Sequence, residues 1–245
     1  MAYTLAGKKA LVFGGSRGIG SAAAKKMAAE GAEVIVVYNR GKAQADAVVQ
    51  AITAGGGKAH ALAADISDIP SIAPLFEQAE GLIGKLDIVV STAGIVSNKP
   101  VLEYTIEDYD KAFDTNTKST FFIMQEAAKR INDGGRIIVT SSGGTKLLLA
   151  GTTMYLGTKG AVEQFVRGFS QELGDRKITV NAVSPGYTDT DMLGADAEAA
   201  NFLGNLSPFK RLGKPEDIGD VISFLCSDEA GWITAQNIGV GGGVM

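Results

Sequence analysis

Tyr155 and Lys159 stand four positions apart in "MYLGTKGAVEQF" (154–165), one helical turn, so both side chains can address the same space. A phenol beside an ammonium is a device for moving a proton. The spacing alone is unspecific: with the chain's content of Tyr and Lys, chance supplies roughly 0.4 such pairs, and Tyr38 with Lys42 is a second one. What raises the first pair above chance is the rest of the chain.

The 245 residues hold 45% hydrophobic and 20% charged side chains, a globular composition. A net charge of −4 argues against nucleic acid as partner. One Cys, Cys226, and one His, His60, exclude a disulfide framework and a Cys- or His-rich metal centre, and leave a Ser-His hydrolase without support. No apolar run reaches the ~20 residues of a membrane span and no signal-peptide pattern opens the chain. The expectation is a cytoplasmic protein with no membrane, nucleic-acid or metal partner.

Short β-branched runs at 8–14, 33–38, 58–64, 86–92, 136–142, 178–184 and 236–240 alternate with helical patterns at 18–30, 42–54, 68–83, 105–132, 155–174 and 215–228. Near-continuous apolar strands suit a parallel sheet covered on both faces. The expected fold is therefore α/β: one doubly wound, Rossmann-type domain of about seven parallel strands over 1–245. The stretch 187–212 breaks the rhythm beyond a strand's carboxyl end, where open α/β sheets bind ligands, and reads as a substrate lid.

"LVFGGSRGIGS" joins the first strand to the first helix through Gly14, Gly18 and Gly20. Glycines there allow a tight turn and close approach to a pyrophosphate, which the helix N-terminus would hold with free N–H groups. Ser16, Arg17 and Ile19 belong to the same loop. The second strand ends in Tyr38-Asn39-Arg40, with no carboxylate for an adenosine ribose. Arg17 and Arg40 could instead grip a 2′-phosphate, which favours NADP(H) over NAD(H). The alternative for Arg40 is a solvated residue opening the next helix. Asp65, followed by Ile66, could accept from the adenine amino group or cap the helix after it.

The ordered set Gly14–Gly20, Asp65, Ala93-Gly94, Asn116, Ser142, Tyr155-x-x-x-Lys159 and Pro185-Gly186 resembles the short-chain dehydrogenase/reductase superfamily, along nearly the whole chain. The C-terminal "KRLGKPEDIGDVISFLCS" and "WITAQNIGVGGG" resemble its 3-oxoacyl-carrier-protein reductase-like and polyketide ketoreductase-like branches. The chain departs from the family pattern at Phe13, at Ser91-Thr92 in place of Asn-Asn, at Gly241, and at Gln171, where carrier-protein reductases commonly have Arg.

The resemblance implies that Tyr155 gives a proton to a carbonyl oxygen, that Ser142 hydrogen-bonds that oxygen, and that Asn116 holds a water linking Lys159 to solvent. It implies that Ala93 and Gly94 bind the cofactor, and that Pro185, Gly186, Thr188 and Thr190 form the turn holding its nicotinamide, Thr190 at the carboxamide. A phenol near pKa 10 must come down by roughly three to be reactive near neutrality. That is about 4 kcal/mol, the order of one ammonium at ~4 Å under an effective dielectric near 20. The resulting expectation is NADPH-dependent reduction of a small-molecule ketone (the reverse alcohol oxidation and a non-catalytic sensor being the alternatives) in a homotetramer. Leu147, Leu148 and Leu149 would make the pocket apolar. Cys226 reads as a buried hydrophobe, His60 as packing, and Trp232 as a core or subunit contact.

Overall fold

The computed structural model describes residues 4–147, 149–194 and 196–245. Seven parallel strands form one sheet in the order β3-β2-β1-β4-β5-β6-β7. They are β1 (Lys9–Phe13), β2 (Glu33–Tyr38), β3 (Lys58–Ala63), β4 (Ile88–Ser91), β5 (Arg136–Thr140), β6 (Thr179–Pro185) and β7 (Asn237–Val240). The order reverses direction between β1 and β4, so the loops leaving these two strands diverge and open a crevice at their carboxyl ends. Register pairs Phe13 with Ser91 and Thr140 with Val183, which brings the loops after β1, β4, β5 and β6 to one edge.

Alternate residues along each strand feed two separate cores. Val12, Val34, Val36 and Val90 face α1 (Gly18–Ala29), α2 (Lys42–Ala54) and α8 (Pro215–Leu225), meeting Met27, Val48 and Ile222. Leu11, Phe13, Ile35 and Val89 face the opposite layer of α3 (Ile72–Ile83), α5 (Ser119–Arg130) and α6 (Thr153–Leu173), meeting Phe76, Met124 and Val162. Burial on both faces is why these strands read as continuous apolar runs rather than alternating ones.

The expected single helix over 105–132 is three segments. A reciprocal cap starts α4 (Ile106–Phe113): Thr105 Oγ1 accepts from the Asp108 amide, and Asp108 Oδ2 accepts from the Thr105 amide, both at 3.2 Å. A widened π turn, Asp114–Lys118, then separates α4 from α5 and carries Asn116 at its middle. Such turns bulge one residue out of the regular ladder and recur at functional sites. Apolar periodicity passes through the turn unbroken, which hides it from a sequence reading. A further helix, α7 (Ala197–Leu206), lies inside the irregular 187–212 stretch, started by Asp196 Oδ1 accepting from the Ala199 amide at 2.9 Å. No helix among the described residues is long and apolar enough to cross a membrane.

Candidate active site

The glycine loop packs against the loop after β4. Gly14 has φ +72°, and a Cβ there would lie 2.9 Å from the Ala93 amide nitrogen. A Cβ on Gly20 would strike the Gly14 carbonyl, so the first turn of α1 sits directly on the loop. Thr92 supplies the tie between the two loops: its hydroxyl donates to the Phe13 carbonyl at 2.9 Å, with the Gly14 carbonyl at 3.4 Å. The Ser91-Thr92 departure therefore brings its own hydrogen bond, while the neighbouring Ser91 Oγ is buried without a partner.

Ser16 Oγ lies 3.5 Å from where a Gly41 Cβ would be, so the Arg40-Gly41 backbone runs beside Ser16-Arg17. Ile19 and Tyr38 pack on the core beneath, and Asn39 and Arg40 are exposed above it. Arg17 is exposed and pairs with Asp191 of the irregular segment at 3.2 Å. Asp65 does not cap the helix that follows it. One of its oxygens accepts from the Ser67 amide at 3.0 Å and the Ser67 hydroxyl at 2.7 Å, closing a local turn rather than capping a helix. Those bonds, with Asn39 and Arg40 nearby, hold its carboxyl below the ordinary range. Ile66 packs against the core beside it.

Tyr155 and Lys159 project from the first turns of α6, and Ser142 follows β5. The Ser142 hydroxyl is near enough to the Tyr155 phenol to lower its pKa, and it accepts from the Gly144 amide at 3.2 Å. Lys159 is 4% exposed and donates to the Thr140 carbonyl at 2.9 Å. Its Nζ stands over the Tyr155 ring, 5.8 Å from the centroid. Among the described residues no carboxylate pairs with it, and burial brings its pKa down to about 8. A Cβ on Gly94 would lie 3.2 Å from Asn116 Oδ1 and 3.5 Å from Lys159 Nζ. Asn116 is fully buried: Oδ1 accepts from the Ile95 amide, and Nδ2 donates to the Ile95 carbonyl, both at 2.8 Å, and to Thr158 Oγ1 at 3.1 Å. The expected four therefore meet in one place.

The expected electrostatics need correction. Burial pushes the Tyr155 phenol above its ordinary value, and the nearby Ser142 hydroxyl offsets only part of that. Lys159 Nζ stands 5.8 Å from the ring centroid, and desolvation opposes the charged forms of both groups.

Beyond β6, the Gly186 amide donates to the Val240 carbonyl at 3.1 Å, and a Cβ on Gly186 would lie 2.7 Å from Gly241 Cα, so the glycine at 241 permits this close crossing. Thr188 is buried and donates to the Gly186 carbonyl at 3.0 Å. The Thr190 methyl lies 3.3 Å from where a Gly18 Cβ would be, joining the loops after β1 and β6. The thioether of Met245 occupies the space a side chain at Gly143 would need, next to Ser142. Sequence reading missed Met245, Asp191, Thr158 and the Thr140 carbonyl, none of which sits in a recognisable spacing. Leu149 and Leu156 pack on Gly144, and Leu147 is half-buried. Leu148 lies outside the described residues. Cys226 is buried, its thiol pushed up to about 12 by desolvation. Trp232 is 99% exposed, which removes the core half of its expected role.

A family model described as enoyl-(acyl carrier protein) reductase matches residues 14–245. Versicolorin reductase 1 of Dothistroma septosporum is 41% identical, over 98% of this chain and 97% of its own length. The crystal structure of the angucycline C-6 ketoreductase LanV with bound NADP superposes with a TM-score of 0.95 at 39% identity, over 100% of this chain and 98% of that one. A short chain dehydrogenase from Burkholderia cenocepacia J2315 in complex with NADP superposes at 0.94 and 36% identity, over 98% of both chains. With a parallel seven-stranded sheet, a glycine loop at its switch point, and this breadth of likeness, the chain is an oxidoreductase that belongs to the short-chain dehydrogenase/reductase family.

Proposed function

We propose that the protein reduces a ketone with an apolar body to a secondary alcohol, using NADPH, with Tyr155 as proton donor. The observation that carries this reading is an unbroken line of contacts from phosphate cradle to proton donor. Gly14 touches Ala93, Gly94 adjoins Lys159, Lys159 holds the Thr140 carbonyl, and two residues on Ser142 adjoins Tyr155. Burial keeps the phenol protonated, the form a proton donor must start from.

When bound, the cofactor supplies the hydride. Ser142 donates to the carbonyl oxygen as negative charge grows there. Tyr155 Oη releases its proton to the same oxygen. Lys159 provides positive charge beside the phenol as that proton leaves, and Asn116 holds the 93–95 loop against Lys159 and the water leading to solvent. Gly14, Gly18 and Gly20 leave room for the pyrophosphate, with Thr188 and Thr190 at the nicotinamide end. Arg17 and Arg40 bracket the place for a 2′-phosphate, which supports NADP(H) over NAD(H). Two of the superposed structures are complexes with NADP.

The segment 187–212 acts as the lid, with Met192, Phe202, Leu206 and Phe209 exposed along it. Leu147 and Leu149 line the other side. Relatives named for versicolorin and for an angucycline C-6 ketone point to a polycyclic aromatic ketone rather than a carrier-bound thioester, in keeping with Gln171. Exposed Val101, Leu102 and Ile106 beside α4, and the Phe121–Phe165–Phe169 cluster of α5 and α6, would be contacts of a homotetramer. The test is NADPH and NADH oxidation with a panel of polycyclic ketones, simple ketones, 3-oxoacyl thioesters and enoyl thioesters. Turnover of ketones with NADPH is expected; turnover of enoyl thioesters alone would overturn the reading.

A further inference from the structure

Glu163 lies outside every motif read from the sequence, yet it connects the helix bearing the proton donor to the loop bearing Ser142. Tyr155, Lys159 and Glu163 follow at four-residue steps on α6, so they share one stripe of a rigid helix. One oxygen, Glu163 Oε1, accepts from two hydroxyls, Ser141 Oγ and Thr145 Oγ1, each at 2.7 Å. Ser141 directly precedes Ser142, and Thr145 lies within the short turn Gly143–Lys146 that follows it. Ser141 is buried at 3% exposure, its amide is paired with the Val183 carbonyl, and among the described residues its hydroxyl donates to Glu163 alone.

The Thr145 hydroxyl carries one proton and has two acceptors in reach, Glu163 Oε1 at 2.7 Å and the Ser142 carbonyl at 2.9 Å. The carboxylate oxygen is the shorter and stronger partner. Given to Glu163, the proton ties the turn to α6. Given to the Ser142 carbonyl, it merely closes the turn on itself. The Ser142 hydroxyl, in turn, is oriented by the Gly144 amide, which belongs to the same turn.

We propose that Glu163 is a positioning residue that, through Ser141 and Thr145, holds the Ser142 hydroxyl in register with Tyr155. The inference rests on the reading of Ser142 as a donor to the substrate oxygen. It assigns Glu163 no contact with substrate or cofactor. It also gives a reason for the helix to carry an acceptor two turns beyond the proton donor: one rigid element then sets the position of both hydroxyls that meet the reacting oxygen.

The experiment compares E163A, E163Q and the double variant S141A/T145V with the wild type. The readouts are steady-state ketone reduction and backbone amide exchange over 143–147. Glutamine keeps a carbonyl acceptor of the same reach, so E163Q should retain most of the wild-type kcat. E163A should lose roughly tenfold to a hundredfold in kcat, within the range for misplacing rather than deleting an oxyanion donor, with KM for NADPH unchanged. The 143–147 amides should exchange faster in E163A and not in E163Q. Should E163A fail to fold, S141A/T145V, which leaves Glu163 in place, carries the same expectation. Wild-type kcat in S141A/T145V, or E163Q as impaired as E163A, would overturn the proposal. If the wild type reduces no ketone at all, the functional reading falls, and the exchange comparison still decides whether Glu163 anchors the turn.

Discussion

Replacing Lys159 by Met should make the protein gain stability near neutral pH while it loses activity. The ammonium is 4% exposed, has one carbonyl for a partner, and titrates at about 8 against an ordinary 10.5. That gap corresponds to about 3 kcal/mol against keeping the charge buried. The direction with pH follows from which state holds the proton. Below about 8 the amine is charged whether folded or unfolded, and the folded protein carries the whole penalty. Between about 8 and 10.5 the folded amine is neutral while the unfolded one still binds a proton, so stability rises with pH through that window. By pH ~10 about 2–3 kcal/mol should have been recovered. Methionine has no proton to lose, and it fills the same channel with a flexible apolar chain. Its loss of the bond to Thr140 is a constant offset, the same at every pH.

Urea denaturation of wild type and K159M, near pH 7 and near pH 10, isolates the term, because all other titrating groups are common to both proteins. The wild type should gain about 2–3 kcal/mol on the variant between the two conditions. A difference that stays flat across that range would refute the idea that Lys159 is a buried, destabilised cation. The proton-handling role of that cation would then need another basis.

Ketone reduction should fall as pH rises through about 8, where Lys159 loses its proton, visible as an alkaline limb in kcat/KM that is missing from the weak residual activity of K159M. Tyr155→Phe should lose roughly 10²–10⁴-fold in kcat, the range of general acid catalysis, while a fluorescence titration finds NADPH bound as before. Arg17→Ala and Arg40→Ala should raise KM for NADPH far more than for NADH; equal effects would remove the 2′-phosphate argument. Thr92→Val keeps the volume and removes the hydroxyl tie to the Phe13 carbonyl, so thermal unfolding should show a loss of about 1 kcal/mol.

Much of this molecule was legible one element at a time. Strands buried on both faces announce themselves as β-branched runs, and each of the seven appears within a few residues of its expected place. The glycine loop and the Tyr155–Lys159 step were also local, since a turn between strand and helix and a four-residue helical repeat are properties of neighbouring residues. The limits were local too. The π turn at Asp114–Lys118 leaves the apolar period intact, and α7, capped by Asp196, was hidden in a stretch of mixed composition.

What only the tertiary structure decided depends on who is buried against whom. The sequence put a cation near a phenol, but the sign of the phenol's shift came from desolvation, which no spacing encodes. Thr92 replaced a missing asparagine because β1 and β4 are neighbours in the sheet while 79 residues apart in the chain. Asp191 reaches Arg17 across 174 residues, and Glu163 reaches Ser141 across 22, by the path of the fold rather than by any pattern of residue types. Periodicity specifies which face a residue presents; the folded layers alone settle what that face meets, and so the energy of each charge and hydrogen bond in the site.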